Sequence, residues 1–185
     1  MKKKAWLTGV LFVLLLSSPL LMRGGGPHDA LKPEFQTSDR CLACHNGIAT
    51  HQGEDISIGL DWRSSSMANS SRDPYWQASV RREVTDHPEH RALAEDECSI
   101  CHMPITRYEA RDAGNNGEIF AHLPFDPKKK DNAKAEDGVT CSVCHQIGPD
   151  KLGTKESFNG GFVVNAPKEP NNRPEYGPYP IDEGR

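Results

Sequence analysis

The sequence predicts a mainly α-helical fold with extensive loops, held together by something other than an ordinary side-chain core. Three observations carry that expectation. Hydrophobic residues make up 36% of the 185, a figure that includes an apolar N-terminal run, while the chain holds 14 prolines and 16 glycines. About 160 residues beyond that run would ordinarily make one domain, but this composition struggles to bury enough apolar area to offset its conformational entropy. The stretch RDPYWQASVRREVTDHPEH carries start and stop signals of a helix, and all six cysteines fall in three copies of one pentapeptide.

Residues 1–23 read as an export signal or N-terminal anchor: Lys2, Lys3 and Lys4 precede an apolar run from Ala5 to Met22. A cleaved signal and a retained anchor through residues 5–22 both remain open, because no small-residue cleavage site follows and the run approaches bilayer length. Removing residues 1–23 takes away Lys2, Lys3, Lys4 and Arg23 and no acid, so the formal net charge moves from −4 to −8. An acidic surface disfavours nucleic acid and anionic lipid, and favours docking to basic patches on partner proteins.

Residues 24–40 read as a linker, 41–165 as the folded domain and 166–185 as an extended Pro-rich tail. Ser38 is expected to cap a turn through Cys41 to His45, and Asp137 or Thr140 to do the same before Cys141. Asp73 at the N-cap, Pro74 at the first helical position and Pro88 beyond the end bound the clearest helix. On it Trp76, Val80, Val84 and His87 form one stripe. A second helix is expected from Pro88 to His102, with His90, Ala94, Cys98 and Cys101 on one face. Residues Asp112 to Ala135 read as a long loop, with Lys128 to Lys130 as a solvated patch. The Asn159-Gly160 pair inside ESFNGGFVVN predicts a short C-terminal β-hairpin.

The pentapeptides are CLACH at 41–45, CSICH at 98–102 and CSVCH at 141–145. On a helical turn, residues three apart share a face, so two sulfurs can reach the two vinyl groups of one porphyrin while the next residue offers an imidazole to the iron. This is the c-type haem attachment pattern. It assigns Cys41, Cys44, Cys98, Cys101, Cys141 and Cys144 to covalent attachment of three haem c groups, and His45, His102 and His145 to the irons as proximal ligands. The expected fold is therefore a small multihaem cytochrome c organised around a haem stack, with an apo form of low order.

Zinc sites also use Cys pairs, but want four ligands, and three pairs each followed by His make an uneven inventory. Disulfides across so short a loop are strained and leave the histidine unexplained. Redox dithiols favour a βαβ setting that is absent here.

Each iron needs a sixth ligand or an open site, and the choice separates electron transfer from catalysis. Met67, His87, His90 and His122 are the distal candidates. His51 lies too close in sequence to His45 to reach over the same porphyrin. Met103 falls on the wrong side of its own haem and is expected to pack, and His28 is expected to be solvated.

The stretch DWRSSSMANSSRDPYWQASVRRE at 61–83, followed by ECSICHMP and DGVTCSVCHQI, resembles the exported multihaem cytochromes c related to the cytochrome c554 group. The resemblance covers most of the chain from Cys41 to Tyr179. It implies closely packed haems passing electrons in a respiratory chain in the periplasm or outside the cell. Members often carry further haem motifs beyond the region matching EYGPYPIDEGR.

The leading expectation is an electron carrier with redox proteins as partners and no catalytic residues. The alternative is a haem-containing subunit of a multihaem oxidoreductase, acting on a small nitrogen or sulfur species at an open haem site with Arg81, Arg82 or Arg107 beside it. A structural haem subunit of a membrane complex or filament is a third class.

Overall fold

Seven α-helices stand among the described residues, and one of them, over 74–86, starts from a side-chain cap. A computed structural model describes residues 35–169 and 172–177. The expected signal at 1–23, most of the linker, His28 and the last eight residues lie outside them. Among the described residues no helix is long and apolar enough to cross a membrane.

In chain order the helices are α1 (Ser38–Leu42), α2 (Gly59–Arg63), α3 (Pro74–Asp86), α4 (Arg91–His102), α5 (Pro104–Asp112), α6 (Lys130–Glu136) and α7 (Cys141–His145). Short 3-10 turns stand at Pro88–His90, Ile119–Ala121 and Lys155–Ser157. Mainly helical architecture is thus what the chain adopts. β structure among the described residues is limited to two isolated antiparallel bridges, Ala49 with Asp55 and Ile147 with Val164.

α3 follows its signals closely. The Asp73 carboxylate accepts from the Tyr75 N–H at 2.9 Å, Pro74 opens the helix, and the last turn ends at Asp86. Trp76 and Val80 are buried, and they meet Met103, Ile119 and Ala135 in one core. The stripe stops short of His87, contrary to expectation. Residue 87 caps the helix with φ −127° and ψ 62°, which swings its side chain out of register and leaves it more than half exposed. The Pro88 turn then feeds α4, as the sequence predicts.

The expected loop from Asp112 to Ala135 is corrected in part, because α6 lies within it. Its alternation of Lys, Asn and Ala looks polar throughout, yet tertiary contacts fix it: Ala135 is fully buried, the Asn132 amide donates to the Asp126 carbonyl, and Lys134 binds Glu109 of α5 at 2.6 Å. α5 joins α4 through Asp96, whose carboxylate accepts from Arg107 at 3.3 and 3.1 Å and from the Gly117 N–H at 2.8 Å.

A second core gathers Phe35, Ile105, Val143 and Val164, with Tyr108 and Phe162 packed against it. Phe35 and Ser38 are buried, so the domain body reaches into the segment read as a linker. The Asn159-Gly160 turn is present, with φ 51° and 72° and a Gly161 N–H to Phe158 carbonyl bond of 3.0 Å. Those angles suit a two-residue hairpin turn. Its flanks do not pair as strands: Val164 bridges to Ile147 instead.

Candidate functional site

The second pentapeptide occupies the last turn of α4. Cys98 is half-buried against the core and Cys101 is exposed. At Met103 the backbone turns (φ −138°, ψ 54°), so two sequence neighbours part company. The Met103 thioether goes fully into the core, as expected for packing, while the His102 ring stays at the surface of that core. There it lies flat on Trp76, with ring centroids 4.1 Å apart and planes 3° from parallel. Its Nδ1 donates to the Ser70 carbonyl at 2.6 Å. A carbonyl oxygen only accepts, so Nδ1 carries the proton and the neutral ring keeps its lone pair on Nε2. The imidazole is thereby fixed in position, orientation and tautomer, as metal-binding histidines are.

Beside it opens a cleft of about 700 Å³, lined by Met67, Ser70, Arg72, Asp73, Cys101 and His102 among others. The segment 64–70 that forms one wall looks like featureless polar loop but is densely bonded. The Asn69 amide donates to the Arg63 and Ser65 carbonyls, and the Ser65 hydroxyl accepts from the Ala68 N–H. Gly138 fits against this wall, and a Cβ there would stand 2.6 Å from the Met67 carbonyl oxygen; its φ of +67° also favours glycine.

The first and third pentapeptides are brought together. α1 begins without a side-chain cap of its own, which corrects the expectation that Ser38 serves as one. Ser38 is the first helical residue, and the cap arrives from across the chain: the Asp137 carboxylate accepts from the Ser38 N–H at 2.7 Å and from its hydroxyl at 2.8 Å. Asp137 therefore caps α1 rather than α7. Burial raises its pKa, and the bonds from Ser38 with the charges of Arg63 and Arg72 only partly offset that. Thr140 stands at the N-cap position of α7 but gives it no cap bond; its hydroxyl shares a bond with that of Ser142 at 2.9 Å. Ser142 in turn donates to the Gln36 carbonyl at 2.7 Å.

These bonds bring Cys41 near Cys141, close enough for each thiol to shift the other. Burial, then the neighbouring Cys41 sulfur, pushes the Cys141 thiol up to about 11. Burial likewise raises Cys41 and Cys98. Reactive dithiols are shifted the other way, toward the thiolate.

His145 is held by the tail. Its Nδ1 donates to the Tyr176 carbonyl at 2.7 Å, and the Tyr176 N–H donates to the His145 carbonyl at 2.6 Å. The tautomer argument made for His102 applies again. His45 sits in an exposed turn after α1. The chain beyond it doubles back, with the Ile56 N–H on the Ile48 carbonyl and Gly59 close against Asn46, and this sets Ile56, Ile58 and Leu60 outward as an apolar strip.

Of the four distal candidates, Met67 lines the cleft and is half-exposed there. His87 and His90 are both exposed, 3.9 and 3.7 Å from the Glu89 carboxylate. His122 is half-buried after the 3-10 turn. His51 is exposed at a loop tip. The arginines considered for an open catalytic site are engaged elsewhere: Arg107 on Asp96, Arg82 on Asp86, and Arg81 over the Phe120 ring at 4.8 Å.

Sequence reasoning missed Ser70, Tyr176 and Arg72. The first two act through backbone carbonyls, which carry no side-chain signature. Arg72, immediately before the Asp73 cap, was readable only as part of a helix start. Among the described residues no three His, Cys, Asp or Glu side chains converge on a common point; each pentapeptide presents its own imidazole. No protein-family model, curated protein or solved structure matches the chain.

Proposed function

We propose that this chain is a tri-haem c-type cytochrome that carries electrons in a respiratory chain outside the cytoplasmic membrane. The observation that carries the reading is the use of every cysteine in three copies of C-x-x-C-H. The six cysteines would supply thioether sulfurs, and His45, His102 and His145 the axial imidazoles. When bound, haem supplies reversible one-electron chemistry at iron.

The residues present suit such a group. His102 and His145 are held with Nε2 free to coordinate. The cleft beside Cys101 and His102 contains a buried guanidinium nitrogen, Arg72 Nε, without a partner, which suits a cofactor bearing carboxylates. The apolar strip of Ile56, Ile58 and Leu60 lies on the segment that folds back against the first motif. The likeness of residues 61–83 to the cytochrome c554 group supports the same reading and rests on those stretches of sequence alone. Redox proteins are the proposed partners, and the periplasm or cell exterior the proposed location. Met67, His87, His90 and His122 remain the proposed pool of distal ligands.

The intact mass and visible spectrum of protein made in a host competent in cytochrome maturation test the proposal. A mass increase equal to three haems, with low-spin spectra unchanged by carbon monoxide, is the expected result. Colourless protein sinks the reading. A high-spin fraction that binds carbon monoxide turns it toward the oxidoreductase. Replacing each distal candidate singly and recording which change makes one haem high-spin assigns the sixth ligands.

A further inference from the structure

Arg72 is the one guanidinium among the residues lining the cleft beside Cys101 and His102, and its bonding is incomplete. Nη2 donates to the Ala68 carbonyl at 2.7 Å, which pins the head group to a fully buried residue four positions back. Nε is buried and has no hydrogen-bond partner. No carboxylate forms an ion pair with Arg72 among the described residues, although its charge is felt at Asp137. Asp73, in the same cleft, accepts from the Tyr75 N–H, and Asp137 spends both oxygens on Ser38. A fixed cation thus lines the cleft with one buried donor unsatisfied, and a planar guanidinium is suited to carboxylate.

We infer that Arg72 receives a carboxylate of the prosthetic group attached at Cys98 and Cys101, and that its charge raises the reduction potential of that one centre. The inference rests on the haem reading proposed above. A positive charge held beside the iron group disfavours its oxidised, more positive state, and the burial of Nε limits screening by salt. Arg72 is a positioning residue in this assignment. It touches neither the electron donor nor the acceptor.

The test is a spectroscopic redox titration of the intact, haem-loaded protein and of Arg72→Leu, Arg72→Gln and Arg72→Lys, with the haem count of each read by mass. Three haems retained, with one midpoint potential of the Leu and Gln variants moved to a more negative value and that of the Lys variant moved less, is the expected result. Should Arg72→Leu fail to fold, the Gln and Lys variants carry the same comparison. Potentials unchanged in every folded variant, or all three moved together, overturn the inference. Native protein without haem would overturn the underlying reading instead, so the two failures are distinct.

Discussion

At residue scale, single polar contacts decide where the chemistry sits. Asp137 satisfies two donors of Ser38 from 99 positions away in the chain, and truncating it leaves a buried N–H and hydroxyl unpaired. Asp137→Ala is expected to cost about 1–3 kcal/mol, measured by denaturant unfolding, and Asp137→Asn less, since one acceptor survives. Because burial raises the Asp137 pKa, this carboxyl holds its proton in the fold at pH values where the unfolded chain has released it. Its contribution is fully present below the unfolded pKa and is lost as pH rises through the folded one.

Gly138→Ala is expected to be destabilising, because the new Cβ meets backbone at Met67 that cannot rotate away, at a φ disfavoured for alanine. Trp76→Ala is expected to remove about 3–5 kcal/mol. It also removes the surface on which His102 lies, so under the proposed haem reading the spectrum of the group at Cys98 and Cys101 should change along with stability.

At element scale, the α3–α4 unit was the most legible part of the sequence. Asp73, Pro74 and Pro88 are local signals, and local signals survive folding intact. The stripe of Trp76, Val80, Val84 and His87 is a periodic one, and it held at Trp76 and Val80 but not at His87. What failed was the polar helix: α6 has no apolar period of its own and exists because Ala135 and Lys134 find partners far along the chain while Asn132 bonds back to Asp126. The capping of α1 from Asp137 was unreadable for the same reason.

Elements are also where acid should act. Burial works against ionisation of Asp96, but the Arg107 bond, the Gly117 N–H and the charges of Arg107 and Arg111 outweigh it and hold the carboxyl below its usual value. Its contribution is present above the unfolded pKa and is lost as pH falls through the folded one. Thermal unfolding followed from neutral pH to below about pH 4 should show a loss of stability that is smaller in Asp96→Asn, which starts lower and has less to lose.

At the scale of the whole molecule, the candidate site was legible as a list of residues but not as an arrangement. Spacing alone named the six cysteines and three histidines; it said nothing of which motifs adjoin. The fold sets the first against the third through contacts about a hundred residues apart in the chain, and leaves the second with its own cleft. The adjoining thiols of Cys41 and Cys141 allow a direct check on chain made without haem. Mild oxidation with a small-molecule disulfide should form a bond between these two sulfurs, reducing the reagent to its thiols. Digestion without reduction followed by mass spectrometry should then recover the 41–141 peptide pair. Recovery of only 41–44 and 141–144 bridges would show that the two motifs do not adjoin in the haem-free chain.

The two-bond clasp between His145 and Tyr176 bears on synthesis. A ribosome releases the chain from its N-terminus, and the frame of His102 draws on Ser70 and Trp76, already made by then. The helix that leads to His45 must wait for Asp137, and His145 waits longest, for residue 176. The middle motif is therefore the first whose imidazole can be seated, and a nascent chain stalled just short of position 137 would offer the His102 ring finished and the His45 turn unfinished, with the third motif not yet made.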